Sequence, residues 1–125
     1  MRIVIAGYGR MGREVEKAAT GLGHQIVAVV DNENDWKKLK TANGKMDVVI
    51  DFSQPGSVVD NIKKCFSLGV SMVTGTTGWY GHLEEVIELC KKQEGTLFYA
   101  PNFSIGVNIF FKVNLQLAKM MNGID

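Results

Sequence analysis

Short apolar runs alternate along this chain with stretches in which apolar residues recur every three or four positions. Ile3 to Ala6, Gln25 to Val30, Asp47 to Phe52, Val70 to Thr74 and Thr96 to Ala100 read as strands. They are short, rich in β-branched residues and apolar at successive positions, the pattern of strands covered on both faces. Helical periodicity predicts helices from about Arg10 to Thr20, Ser57 to Leu68, Gly81 to Gln93 and Ile105 to Met121. The first ends at Gly21 and Gly23, the second at Gly69 and the third at Gly95, where glycine stops a helix. Ser53-Gln54-Pro55-Gly56-Ser57 is a turn, with Ser57 as cap and Asp60 three residues on. The polar stretch 32–45 holds at most a short helix over Asp35 to Leu39, capped by Asp35.

Strand and helix alternate throughout. That order predicts an α/β fold, a Rossmann-type doubly wound parallel sheet with helices on both faces. The expected strand order is 3-2-1-4-5, with the switch point between strands one and four. At 125 residues the chain is one domain, a dinucleotide-binding domain over 1–125.

Composition narrows the function. Fourteen basic side chains stand against 13 acidic ones, a net charge of +1. That balance gives no general argument for nucleic acid or an anionic membrane surface. No apolar run approaches a membrane span, and Ile3 to Ala6 is too short for a signal-peptide core. Cys65 and Cys90 fall in helical patterns without metal-ligand spacing, so they read as small hydrophobes in a reducing compartment and no metal site is expected. These features predict a cytoplasmic protein.

The chemistry gathers where strands end. Gly7-Tyr8-Gly9-Arg10-Met11-Gly12 follows the first strand and opens the first helix. Gly7 permits a tight turn, Gly9 lets a pyrophosphate approach the backbone, and Gly12 lets helix and strand pack closely. The helix N-terminus offers N–H groups to phosphate, and Arg10 adds a charge. Met11 is expected to pack under the loop. Asp31 closes the second strand, where a carboxylate accepts hydrogen bonds from ribose hydroxyls; this favours NADH, with NADPH open if Lys37, Lys38 or Lys40 folds back toward a 2′-phosphate. Phe52 and Ser53 end the third strand, Phe52 walling the adenosine side of the cleft. Gly75-Thr76-Thr77-Gly78 ends the fourth strand beside the switch point, with room for a flat ring and hydroxyl donors for a carboxamide or carboxylate. Ala100-Pro101-Asn102-Phe103 ends the fifth, with Asn102 toward the carboxamide and Phe103 against the ring. Ser104 either joins this loop or caps the last helix. His24 lies at the opposite edge, Trp79 and Tyr80 suggest a rim or an interface, and Met120 and Met121 are expected to dock the last helix.

Together, Gly7 to Gly12, Asp51-Phe52-Ser53-Gln54-Pro55, Gly75 to Gly78 and Ala100 to Asn108 resemble dihydrodipicolinate reductase (4-hydroxy-tetrahydrodipicolinate reductase) in content and order. The resemblance implies NADH- or NADPH-dependent reduction of a cyclic dicarboxylate on the route to diaminopimelate and lysine. It places the pyrophosphate on Gly7 to Gly12, the ribose on Asp31, and the nicotinamide between Gly75 to Thr77 and Ala100 to Phe103, with Thr77 nearest the substrate. It also implies a homotetramer for the full-length protein, with this piece monomeric or dimeric. The family's paired-histidine motif and lysine-containing segment, which protonate and grip the substrate, are not in these 125 residues. No catalytic residue is therefore assigned to this chain, and it is expected to be an N-terminal fragment or a shortened relative that binds dinucleotide weakly and turns over nothing. The segment 32–45 is shorter than the family pattern, and Trp79 stands where phenylalanine is commoner.

Two other readings stay open on the residues alone. A dinucleotide-sensing module without catalysis fits the absent half but leaves the 75–78 and 102–104 loops unexplained. Another Rossmann dehydrogenase, of the aspartate or homoserine type, fits the first motif and not the last two.

Overall fold

In the computed structural model, which describes residues 1–41 and 45–123, every predicted strand and helix is present. The order is β1 (Arg2–Ala6), α1 (Arg10–Gly21), β2 (Gln25–Val30), α2 (Glu33–Thr41), β3 (Val48–Asp51), α3 (Pro55–Ser67), β4 (Ser71–Thr74), a 3₁₀ turn (Tyr80–His82), α4 (Leu83–Lys92), β5 (Leu97–Tyr99) and α5 (Ile105–Met121). Residues 42–44 of the polar stretch, and the side chain of Lys40, lie outside the described residues.

All strands are parallel, in the order β2-β1-β3-β4-β5. The expected 3-2-1-4-5 order is thus corrected, and the switch point falls between β1 and β3. The cause lies in α2. Trp36 and Leu39 bury against a core that includes Val4, Ala6, Val30 and Val49, the face that α3 and α4 also cover. Helix α1 covers the other face, packing Val15 and Ala19 over Ile3, Ile5 and Val48. The chain therefore leaves β2 on the face opposite α1 and returns past β1 to reach β3, instead of winding outward for a third strand. Alternate residues serve the two faces, as the strand repeat of two requires.

Helix starts differ from expectation in two places. Asn32, not Asp35, caps α2: its Oδ1 accepts from the N–H groups of Asn34 (2.9 Å) and Asp35 (3.2 Å). Asp35 reaches back to accept from the Asp31 N–H at 3.1 Å. Helix α3 begins at Pro55, two residues before Ser57, because proline suits the first helical turn, where its missing N–H leaves no bond unmade. Ser57 therefore sits inside the helix and caps nothing.

Helix α5 does not dock. Every described residue in it except Val107 is exposed, and Met120 and Met121 are 75% and 58% exposed. Both methionines were expected to hold this helix to the body. Their apolar character marks a surface to be covered, and periodicity alone does not say by what.

Candidate functional site

The phosphate loop is built as its glycines require. Gly7 has φ +84°, and a Cβ there would lie 2.6 Å from the Phe52 carbonyl oxygen, so strain and sterics both demand glycine. A Cβ on Gly12 would collide with the Gly7 carbonyl, which is the close helix–strand packing expected of that position. A Cβ on Gly9 would meet nothing within 4 Å. Gly9 is also the N-cap residue of α1, and no side chain satisfies the helix's first N–H groups there. Open space over bare backbone at a helix N-terminus is a cradle for a diphosphate. Arg10 and Met11 are exposed beside it, so Met11 does not pack under the loop; its side chain is 48% exposed.

A cleft of about 300 Å³ opens at the switch point, lined in part by Gly7, Asp31, Trp36, Ser53, Asp60 and Lys64. Asp31 is exposed at the end of β2, and its Oδ1 accepts the Tyr8 N–H at 3.1 Å, which orients the carboxylate beside the phosphate loop. Lys64 is paired with Glu33, and the hydrogen bond it donates holds the Glu33 carboxyl below its usual pKa. The Lys64 ammonium also lies 5.6 Å from the centre of the Trp36 ring. Tyr8 donates its hydroxyl to Glu16, and this bond raises the phenol pKa.

On the far side of the phosphate loop a second recess gathers Gly9, Arg10, Met11, Phe52, Ser53, Gly75, Thr76 and Thr77. Phe52 belongs to this recess and not to the wall of the Asp31 cleft, a correction that follows from the strand order. Its ring lies where a Cβ on Gly75 would sit, so glycine is needed there. Phe52 meets Phe103 edge-on at 6.2 Å, and Phe103 lies 5.8 Å from Phe98. Loop 75–78 ends β4, one strand beyond the switch point.

Beneath this loop is a buried polar knot that the motif reading did not single out. Asp51 is fully buried. Its Oδ2 accepts from the hydroxyls of Thr74 and Thr76, each at 2.7 Å, and its Oδ1 accepts from the Asn61 amide at 3.0 Å. The same Asn61 amide donates to Ser53 Oγ at 3.2 Å. Thr76 is held at three points: its hydroxyl on Asp51, its N–H on Thr74 Oγ1 at 3.1 Å, and its carbonyl accepting the Trp79 indole N–H at 2.8 Å. The Thr76 hydroxyl is therefore committed inward, and Thr77 is the exposed one of the pair. Trp79 is core at 1% exposure, not rim, and Tyr99 packs on it edge-to-face at 5.4 Å. A sequence signal for the knot existed: a carboxylate closing an apolar strand, with hydroxyls closing the next. Buried Cys65 is not a nucleophile, since burial and the nearby Asp51 charge push its thiol up to about 12.

The last loop closes the rim. Ala100 continues the strand, its N–H on the Thr74 carbonyl at 3.3 Å. Asn102 uses its Oδ1 locally, accepting from the Ser104 N–H at 2.7 Å, which leaves that oxygen committed to the turn. Ser104 caps α5, accepting from the Val107 N–H at 3.4 Å. Phe103 is partly exposed beside Phe52. Pro101 is exposed in the same turn. All four predicted loops thus lie at the carboxyl edge of the sheet, and His24 lies at the other, 3.5 Å from the N-terminal amine.

A family model for the N-terminus of dihydrodipicolinate reductase matches residues 1–103. The chain belongs to that family. It is 41% identical, over all 125 residues, to a 4-hydroxy-tetrahydrodipicolinate reductase of Christiangramia forsetii, of which it covers 52%. A dipicolinate-bound dihydrodipicolinate reductase from Paenisporosarcina sp. TG-14 superposes with a TM-score of 0.67 at 25% identity, over 85% of this chain and 49% of that one. Homoserine dehydrogenase of S. aureus shares the fold, with a TM-score of 0.63 at 16% identity over 82% of this chain and 32% of the other. The chain spans about half the length of the reductases it matches. Within the family, this chain is the nucleotide-binding part, a domain that takes a nicotinamide dinucleotide.

Proposed function

We propose that this chain is the cofactor-holding part of an NADH-dependent reductase acting on a cyclic dihydrodipicolinate-type dicarboxylate in diaminopimelate and lysine synthesis. The observation that carries the reading is convergence: an open glycine cradle, an exposed carboxylate oriented beside it and two further strand-end loops share one sheet edge.

The residues divide the work along the cleft. Gly7 to Gly12, with Arg10, hold the diphosphate on the α1 N-terminus. Asp31, already turned toward the phosphate loop by Tyr8 N–H, accepts from the adenosine ribose hydroxyls. Ser53 and Phe52 border the diphosphate and the ring, and Gly75 to Thr77 with Ala100 to Phe103 enclose the nicotinamide. Thr77, exposed at the loop tip, faces the substrate. When bound, the reduced nicotinamide supplies the hydride. The chain positions it and shields one ring face; the proton for the product comes from outside these residues.

The charge of the Asp31 cleft favours NADH over NADPH. Asp31, Glu33 and Asp60 line it, and Lys64, the cation on its wall among the described residues, is already paired with Glu33. A 2′-phosphate would meet net negative charge.

Titration of the chain with NADH and NADPH tests this reading. NADH is expected to bind more tightly. Asp31→Ala should weaken NADH on the order of 30-fold, the loss of charge-assisted hydrogen bonds totalling ~2 kcal/mol. The same change should strengthen NADPH binding, because it removes a carboxylate that repels the 2′-phosphate. Absence of binding by either nucleotide at millimolar levels would sink the assignment.

A further inference from the structure

The buried carboxylate under loop 75–78 has no role in holding diphosphate or ribose, and it is shielded from any ligand. It is also an unusual choice for such a place. A charged side chain taken wholly out of water is strongly disfavoured unless hydrogen bonds replace the water it loses. Asp51 receives three from side chains, one from the hydroxyl of Thr74 at the end of the neighbouring strand and one from the hydroxyl of Thr76 in the loop after it. An apolar residue here would fill the same layer of the core without needing Asn61, Thr74 and Thr76 as partners.

What the carboxylate achieves is a fixed spacing between three separate segments. Asp51 ends β3, Thr74 ends β4, and Asn61 belongs to α3. Through Asn61 the knot also reaches Ser53, on the rim itself. The backbone follows the same course: the Gly75 N–H donates to the Asp51 carbonyl at 3.0 Å. Thr76 is the only member of loop 75–78 joined to Asp51 by its side chain among the described residues, and its hydroxyl points away from the recess into the knot. Its carbonyl is held from the other side by Trp79. The loop tip, Thr77, is thus an exposed residue on a rigid base.

We propose that Asp51 is a positioning residue, which by anchoring the Thr76 hydroxyl fixes loop 75–78 at the height above the Gly9 backbone that the nicotinamide end of the dinucleotide requires. The inference rests on the placing of nicotinamide at this loop. Asp51 touches neither cofactor nor substrate and acts only through Thr76 and, more weakly, Ser53. Thr76 and its loop border the recess beyond the phosphate loop and do not line the Asp31 cleft, where the adenosine end is held.

That division gives a test that separates positioning from general stability. ADP-ribose carries every part of NADH except the nicotinamide. Affinities of the chain for NADH and for ADP-ribose are measured by calorimetry for the wild type, Thr76→Val, Thr76→Ser and Asp51→Asn. Thr76→Val keeps the shape and removes the hydroxyl; it should weaken NADH about 5- to 10-fold, the size of one lost hydrogen bond. ADP-ribose should stay within about twofold, on the same scale. Thr76→Ser, which restores the hydroxyl, should restore NADH binding. Asp51→Asn should follow Thr76→Val in direction. Equal losses for both ligands in Thr76→Val would overturn the proposal, since a merely structural role weakens the whole site. So would an unchanged NADH affinity in Thr76→Val, where the wild type prefers NADH to ADP-ribose. A wild type that binds the two ligands equally would instead refute the placing of nicotinamide at this loop.

Discussion

At the level of single residues, the glycines of the phosphate loop divide into those the fold needs and one that the ligand needs. Gly7 is required by its own backbone: φ is +84°, and the Phe52 carbonyl occupies the space a side chain would take. Gly7→Ala should therefore lower stability by about 1–3 kcal/mol through strain alone, and more with the clash. Gly9 has an ordinary backbone and open space around it. Gly9→Val should lower stability by no more than about 1 kcal/mol, the cost of a poorer N-cap, while weakening NADH about tenfold or more, ~1.4 kcal/mol. Thermal melts and titrations of the two variants check the contrast; a Gly9→Val chain that binds normally would mean the diphosphate lies elsewhere. The residue roles that motif spacing made legible were those depending on chain-local geometry: the turn at Gly7, the open backbone at Gly9, the carboxylate closing β2. Roles set by packing were hidden. Trp79 read as a rim residue because it follows a glycine-rich turn, yet its indole fills the core and its N–H finds the Thr76 carbonyl. Thr76 and Thr77 are alike in sequence, and only the neighbouring strand decides which of them turns inward.

Among the elements, α2 decides the topology. The β–α–β alternation is the same whether the chain winds outward from β2 or returns past β1, so local periodicity carries no information on strand order. The choice is made by which face Trp36 and Leu39 bury against. The start of α2 also organises the cleft, since Asn32 caps it, Asp35 ties back to Asp31, and Glu33 in its first turn pairs with Lys64. Asn32→Ala should cost about 1 kcal/mol. It should also loosen the Glu33–Lys64 pair and with it the discrimination against NADPH. Paired denaturant melts and NADH/NADPH titrations read both effects; a stability loss with an unchanged preference would show that cap and specificity are separate. The predicted cap at Asp35 missed by three residues because both Asn and Asp suit the role, and Asn32 simply comes first. The predicted start at Ser57 failed for a similar reason, as Pro55 had already begun α3.

As a whole, the molecule is a well-covered sheet on one face and an unfinished one on the other. Helices α2, α3 and α4 cover one side, while α1 alone covers the other, leaving Phe98 59% exposed on the edge strand. Helix α5 adds Ile109, Phe110, Phe111 and Leu115 to that open apolar surface. Contiguous exposed apolar surface of this kind marks a place where another surface binds. The two tryptophans, meanwhile, sit at opposite ends of the proposed cofactor path: Trp36 walls the Asp31 cleft, and Trp79 supports loop 75–78 from below. The chain thus contains its own pair of optical reporters, one for each half of the ligand. In Trp79→Phe, emission from Trp36 should respond to ADP-ribose and NADH alike; in Trp36→Phe, emission from Trp79 should respond to NADH and stay silent toward ADP-ribose. Light alone can then tell which end of the molecule has arrived.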